Sequence, residues 1–208
     1  MKVALVNGSP HEKGCTYTAL TIISEEFKKE GIDSEIFWIG NKPIAGCMGC
    51  RACVKLGKCF MDDSVNEFAK KTSEYDGFIF GSPVHYAAMG GQIASFMDRL
   101  FFSSKKSGNY YLKPAAGIAV ARRAGTTATV DQINKYFTLA EMPVISSRYW
   151  NVIHGTNPEE VLKDEEGVQI MRVLAKNMAF FLKCKEAGIK AGVELPEIET
   201  PVSTNFVK

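Results

Sequence analysis

A chain of 208 residues, 46% hydrophobic, with 25 basic against 23 acidic side chains, is long enough for one packed domain. Its net charge of only +2 argues against a nucleic-acid or membrane-surface partner, and no apolar run has the length that crosses a bilayer. The opening "MKVALVNGSP" is too short in its apolar part for a signal peptide, so a cytoplasmic, reducing setting is expected. In that setting six cysteines point to metal binding or redox work rather than structural disulfides.

Strand-like and helix-like patterns alternate along the chain. Residues 2–6 (KVALV) form a continuous apolar run suited to a strand covered on both faces. A helix is expected over 16–30, with Leu20, Ile23 and Phe27 on one face and Gly31 as its stop. Residues 33–39 read as a second strand, after which a cysteine-rich segment, 46–60, interrupts the rhythm. It resumes with a helix over 63–74, where Val65, Phe68, Ala69 and Thr72 share a side, and a third strand at 77–82. A helix over 91–102 carries Ile93, Phe96, Met97, Leu100 and Phe101 at one-face spacing. A fourth strand at 115–121, a helix over 127–140 and a fifth strand at 143–147 follow. The last helix, 164–187, turns Met171, Leu174, Met178, Phe181 and Leu182 inward, with Cys184 expected in core or interface packing. Residues 1–190 therefore read as one domain. Residues 191–208, with two prolines and no helical period, read as an extended tail that crosses a surface or a neighbouring subunit or stays disordered.

Strands alternating with helices imply an α/β fold: a doubly wound, five-stranded parallel sheet with helices on both faces. Ligands of such sheets sit beyond the carboxyl ends of the strands, where strand order reverses. Residues 7–18, 83–90, 122–127 and 148–155 should thus converge, and the cysteine segment, which follows the second strand, should leave from the same edge. The first of these loops, "NGSPHEKGCTYT", is neither a dinucleotide fingerprint nor a nucleotide P-loop, since G-x-G-x-x-G and Gly-Lys-Ser/Thr are both absent. It is a hydroxyl-bearing loop that opens a helix, with Ser9, Thr16 and Thr18 around Gly14. A helix N-terminus with unpaired N–H groups suits a phosphate, although Ser9 or Thr16 as a simple cap also fits the pattern. At the end of the third strand Pro83, Val84, His85 and Tyr86 could wall in a flat ring, and "ARRAGTT" (121–127) repeats the strand–glycine–hydroxyl–helix logic. In 148–155 Trp150 and His154 read equally as a core and a satisfied polar residue or as the lining of a pocket mouth.

The combination "NGSPHEKGCTYTAL", "GCMGCRACVKLGKC…DD", "GSPVHYAAMGGQIASFMDR" and "MPVISSRYWNVIHG" resembles the flavodoxin-like NAD(P)H-dependent FMN reductases, and among them is similar to the iron–sulfur flavoprotein branch and related quinone reductases. The resemblance covers residues 1 to about 187. It implies non-covalent FMN, with the phosphate on Ser9, Gly14, Cys15, Thr16 and Thr18 and the isoalloxazine beside Pro83, Val84, His85 and Tyr86. Arg122, Gly125 and Thr126 would take the ring's second edge. The family's loop often reads S-P-R-x-x-G-N-T; here His11 stands for Arg and Cys15 for Asn.

Cys47, Cys50, Cys53 and Cys59 are spaced C-x2-C-x2-C-x5-C, near the ferredoxin run but with a longer last gap and Phe60 in place of proline. The residues leave three readings open: a [4Fe–4S] cluster, a loop of thiols without metal, or zinc or a disulfide. The resulting expectation is an FMN-dependent oxidoreductase that takes electrons from NAD(P)H and gives them to a quinone, another small acceptor or a redox protein. His85 and Tyr86 are the candidates for touching substrate. The competing reading is an FMN electron carrier without substrate turnover, against which the slightly basic chain counts; a redox sensor on the same fold is a third. A homodimer or homotetramer is expected, the open flavin edge being closed by a neighbouring copy.

Overall fold

The computed structural model describes residues 1–206. In chain order the elements are β1 (Lys2–Asn7), α1 (Cys15–Lys29), β2 (Asp33–Trp38), α2 (Cys53–Leu56), α3 (Ser64–Lys71), β3 (Gly77–His85), β4 (Ala88–Met89), α4 (Gly91–Ser104), β5 (Ala115–Ala121), α5 (Thr126–Leu139), β6 (Val152–His154), α6 (Pro158–Lys163) and α7 (Glu165–Lys190). Five strands run parallel in the order β2-β1-β3-β5-β6, and the short β4 pairs antiparallel with the end of β3. The order reverses between β1 and β3, which makes that junction the switch point.

Alternation along the strands builds two cores. Val3 and Leu5 of β1 face one side with Ile79 and Ile118, against Leu20, Ile23 and Phe27 of α1 and Met171, Leu174 and Met178 of α7. Ala4 and Val6 face the other side with Phe78 and Phe80, against Phe68 of α3, Phe96 and Met97 of α4, and Ile133 and Phe137 of α5. The one-face spacings read from the sequence are the faces that are buried, because burial of each such side chain contributes about 1.5–3 kcal/mol.

The fifth strand departs from expectation. Residues 143–145 touch β5 only at Ala115, whose N–H donates to the Pro143 carbonyl and whose carbonyl accepts from Ile145. The chain then leaves the ladder, and the regular pairing is made by Val152–His154 against Ala119–Ala121. Buried Asn151 closes the excursion: its Oδ1 accepts from Ser147 N–H and its Nδ2 donates to the Ile145 carbonyl. An unanticipated helix, α6, follows, capped by Asn157 with Pro158 in its first turn. Part of the 191–206 segment makes contacts with the domain. The Tyr111 hydroxyl donates to the Pro196 carbonyl at 3.3 Å, and Ile198 joins Phe101, Phe102 and Tyr136 along a groove of about 380 Å³. Residues 207 and 208, the end of that expected tail, lie outside the described residues. Cys184 is exposed on α7, not in the core.

At the switch point β1 and β3 are pressed together. Gly8 N–H donates to the Gly81 carbonyl at 2.9 Å, and a Cβ at Gly8 would lie 2.7 Å from that oxygen and 2.7 Å from Ile93 Cβ. A Cβ at Gly81 would meet the Thr16 methyl at 2.8 Å. Gly8→Ala should therefore destabilise the fold by about 1–3 kcal/mol, as overpacking of a tight site does. A lowered urea midpoint with an unchanged slope is the expected result, and an unchanged midpoint would contradict the close approach.

Candidate functional site

The site grows out of the switch point. Past β1 the loop is held from within: Ser9 N–H donates to Asn7 Oδ1, His11 N–H to Ser9 Oγ, and Asn7 Nδ2 to the Glu12 carbonyl. From the neighbouring strand, Trp38 Nε1 donates to the Ser9 carbonyl at 2.8 Å. This delivers Gly14 to the N-cap of α1, where no side chain caps the helix and the first turn carries no acidic residue. The amides that open α1 are those a helix leaves without intrahelical partners, so they and the helix dipole favour an anion. Thr18 bonds back to the Gly14 carbonyl through both its N–H and its hydroxyl, which places its side chain in the helix's own turn.

Ser9, Cys15 and Thr16 line a cleft of about 200 Å³ together with Pro83, Val84, His85, Arg122 and Gly155. All four predicted loops therefore contribute to one cleft. Gly125 and Thr126 stand behind it: Gly125 is the left-handed N-cap of α5, and a Cβ there would meet Val84 Cγ1 at 2.8 Å, so the two loops pack directly. Tyr86 is different. It occupies the left-handed tip of the β3–β4 turn (φ 59°) with its side chain wholly in solvent, and it does not line the cleft. Tyr149 and Trp150 are also exposed, packed edge-on at 4.7 Å, so Trp150 is not core. His154 lies over Asp164, whose Oδ2 accepts its backbone N–H at 2.7 Å.

The cysteine segment starts at the same edge but does not stay there. Ile39 N–H donates to the Asn7 carbonyl, Gln92 Nε2 to the Lys42 carbonyl at 2.5 Å, and the chain then descends along α4 to Arg99. From Gly91 to Arg99 that is a descent of about 12 Å at the helical rise. Cys47, Cys50, Cys53 and Cys59 line one cavity of about 20 Å³, room for a single water, with Arg99 and Phe102 on its walls. Cys47 and Cys50 are exposed and Cys59 is buried. Among the described residues no three His, Cys, Asp or Glu side chains are grouped as around a bound ion.

Arg99, only 1% exposed, is the hub of this segment. It grips Asp63 with both terminal nitrogens (2.5 and 3.0 Å), donates to the carbonyls of Ala45 and Met61, and turns Nε–H to Cys59 Sγ at 3.3 Å. Burial works against its charge, but Asp63 and Cys59 outweigh it and raise the guanidinium above its ordinary value. Asp63 also caps α3 through Val65 N–H, and Asn66 Nδ2 donates to the Cys59 and Met61 carbonyls. Sequence reasoning passed over Arg99. Its signal was position: three residues after Phe96, on the flank of the most apolar helical stripe in the chain.

Strand order, cleft position and the uncapped helix end define a flavodoxin-like α/β protein. The chain belongs to the NADPH-dependent FMN reductase family, whose sequence profile matches residues 1–157. It is 32% identical over 192 residues to an iron–sulfur flavoprotein of Methanocaldococcus jannaschii, covering 88% of this chain and 98% of that one. Among solved structures it is similar in fold to RosB with a bound 8-demethyl-8-formylriboflavin-5′-phosphate intermediate (TM-score 0.71, 13% identity, 100% of this chain and 94% of that one). It is similar also to a flavodoxin from the domain Archaea (TM-score 0.59, 15% identity, 88% and 99%). Flavin-dependent redox work is the function this family membership supports, and the family implies FMN.

The residues present fit that cofactor: an uncapped helix end whose own first turn carries no acidic residue suits a terminal phosphate, and the apolar Pro83–Val84 edge suits a flat ring. The four cysteines fit an iron–sulfur group in donor chemistry, soft sulfurs around one void. No helix among the described residues is long and apolar enough to cross a membrane.

Cys15 is half-buried at the start of α1. Burial, and then the carboxylates of Glu160 and Glu159, raise its thiol above the ordinary value, so less of it is thiolate at a given pH. In the cofactor-free protein at pH 8, iodoacetamide should modify half-buried Cys15 more slowly than exposed Cys47 and Cys50, and the Cys15 rate should rise with pH. Peptide mass spectrometry reads the rates, and a Cys15 as fast as the exposed pair would contradict the burial.

Proposed function

We propose that the protein is an FMN-dependent oxidoreductase that takes electrons from NAD(P)H and delivers them to a quinone, another small acceptor or a redox protein. What carries the reading is the cleft at the β1–β3 switch point, beneath a helix end that no side chain caps. When bound, FMN would supply the hydride-accepting and one- or two-electron chemistry. The chain's own part is to bind, orient and shield. The first amides of α1, with the hydroxyls of Ser9 and Thr16, would hold the phosphate, Gly14 and Cys15 supplying backbone at the helix start and Thr18 locking that turn. Pro83 and Val84 would exclude water from one side of the ring, while Arg122, with Gly125 and Thr126 at the start of α5, would offer charge and donors at its other edge. His85 lies in the cleft wall and Tyr86 at the turn tip, the side from which a donor or acceptor would enter.

The convergence of Cys47, Cys50, Cys53 and Cys59 on one cavity, together with the iron–sulfur flavoprotein names of the relatives, supports a [4Fe–4S] cluster on these four residues. It equally supports the second reading, an electron-transfer flavoprotein without substrate turnover. Six unpaired cysteines favour a cytoplasmic setting. The exposed apolar side chains of Leu195, Ile198, Val202 and Phe206 on the tail favour a homodimer or homotetramer that covers them.

Anaerobically purified protein should oxidise NADH or NADPH in the presence of a soluble quinone. Flavin that stays oxidised with both nucleotides would contradict the donor, and reduction without multiple turnovers would favour the carrier. In Thr16→Val the loss of a hydroxyl facing a dianion should weaken FMN binding by about tenfold or more, since a hydrogen bond to a charged group contributes about 1.5–3 kcal/mol. Unchanged affinity would reduce Thr16 to a packing residue against Gly81.

A further inference from the structure

We propose that Arg99 is a positioning residue that sets the reduction potential of the iron–sulfur cluster, through the hydrogen bond from its Nε–H to Cys59 Sγ. The inference rests on the reading of Cys47, Cys50, Cys53 and Cys59 as cluster ligands and assigns to Arg99 a role that reading does not contain.

The five N–H groups of the guanidinium make five hydrogen bonds. Four go to oxygen, on Asp63, Ala45 and Met61, and bolt the loop to α4. The fifth goes to the sulfur of Cys59. A neutral thiol is a weak acceptor, and a cation this deeply buried has reason to aim a donor at an oxygen instead. A sulfur that bears negative charge as an iron ligand is a far better partner, because the bond is then assisted by charge on both sides. Cys59 is also the buried member of the four, held through its carbonyl by Asn66, whereas Cys47 and Cys50 are exposed. The loop thus holds the Cys59 sulfur fixed and hydrogen-bonded by α4.

The consequence is electronic. One-electron reduction of the cluster, by dithionite in a titration or by reduced flavin in the protein, adds one negative charge with no bond made or broken and no proton moved. Part of that charge falls on the cysteine sulfurs, and a cationic N–H donor at one of them favours the reduced state. Arg99 therefore raises the potential and makes the cluster a better electron acceptor. The bonds that serve only the loop's shape act on both redox states alike, so the potential separates this role from a purely structural one.

The test uses the full-length protein, reconstituted anaerobically with iron and sulfide, in wild-type and Arg99→Lys forms. Iron analysis comes first: a wild type that takes up no iron overturns the cluster reading and the inference with it. With about four irons per chain in both proteins, the cluster midpoint of Arg99→Lys should shift to more negative potential while the flavin midpoints stay in place. An unmoved cluster midpoint overturns the Arg99 role and leaves the cluster standing. Should the variant fail to fold, wild-type protein labelled with 15N at arginine Nε decides the matter by pulsed EPR of the reduced cluster. A 15N coupling that persists in Arg51→Lys is expected, and its absence overturns the proposal.

Discussion

Everything functional in this molecule depends on how closely β1 and β3 approach at their carboxyl ends. Gly8 and Gly81 leave no room for a Cβ there, so the Gly8 N–H reaches the Gly81 carbonyl, with Ile93 of α4 on one face and Thr16 of α1 on the other. That contact fixes where α1 begins relative to the sheet edge. It thereby aims the uncapped amides of α1 into the space that β3 and β5 wall off with Pro83, Val84 and Arg122. Because strand order reverses at this junction, the loops after β1 and β3 diverge to opposite faces and leave a cleft between them.

The same helix that packs against Gly8 organises a second site. α4 starts beside the β3–β4 turn, where Gly90 N–H donates to Ser82 Oγ, and runs away from the edge to Arg99, Phe102 and Ser103 at the cysteine cavity. One element therefore packs against Gly8 beside the cleft through Ile93 and carries Arg99, the anchor of the cysteine loop. Its apolar stripe, Ile93, Phe96, Met97 and Leu100, is fully buried, which sets the distance between the two sites and leaves little freedom to change it. Arg99 holds the cysteine loop at both ends, at Ala45 and at Cys59 and Met61, with Asp63 and Asn66 fixing the latter, while its first half turns through the left-handed residues Gly49 and Arg51 in solvent.

Much of this was legible in the sequence, for identifiable reasons. Strands and helices with a single apolar period, such as 2–6, 91–102 and 115–121, are dictated by burial and appear where the pattern puts them. The cleft was legible because a parallel sheet forces its loops to one edge, so residues 9–16, 83–85 and 122 had to meet. The fifth strand was not, because a buried asparagine, Asn151, supports an excursion that no periodicity announces. Nor was Arg99: a charged residue beside an apolar stripe reads as a flank until its partner, 36 positions earlier at Asp63, is brought to it by the fold. The direction of Tyr86 was not legible either, since it depends on a left-handed residue at the tip of a two-stranded turn, which puts its side chain in solvent.

The central claim is that the uncapped end of α1 is a phosphate site for a mononucleotide flavin. The most direct measurement compares equilibrium binding of FMN and riboflavin to the cofactor-free protein under identical salt and pH. The two ligands share the ring and differ in the phosphate alone. One or more hydrogen bonds from the α1 amides and hydroxyls to a charged phosphate predict FMN binding tighter by about ten- to a hundredfold. Equal affinities for the two flavins would contradict the account.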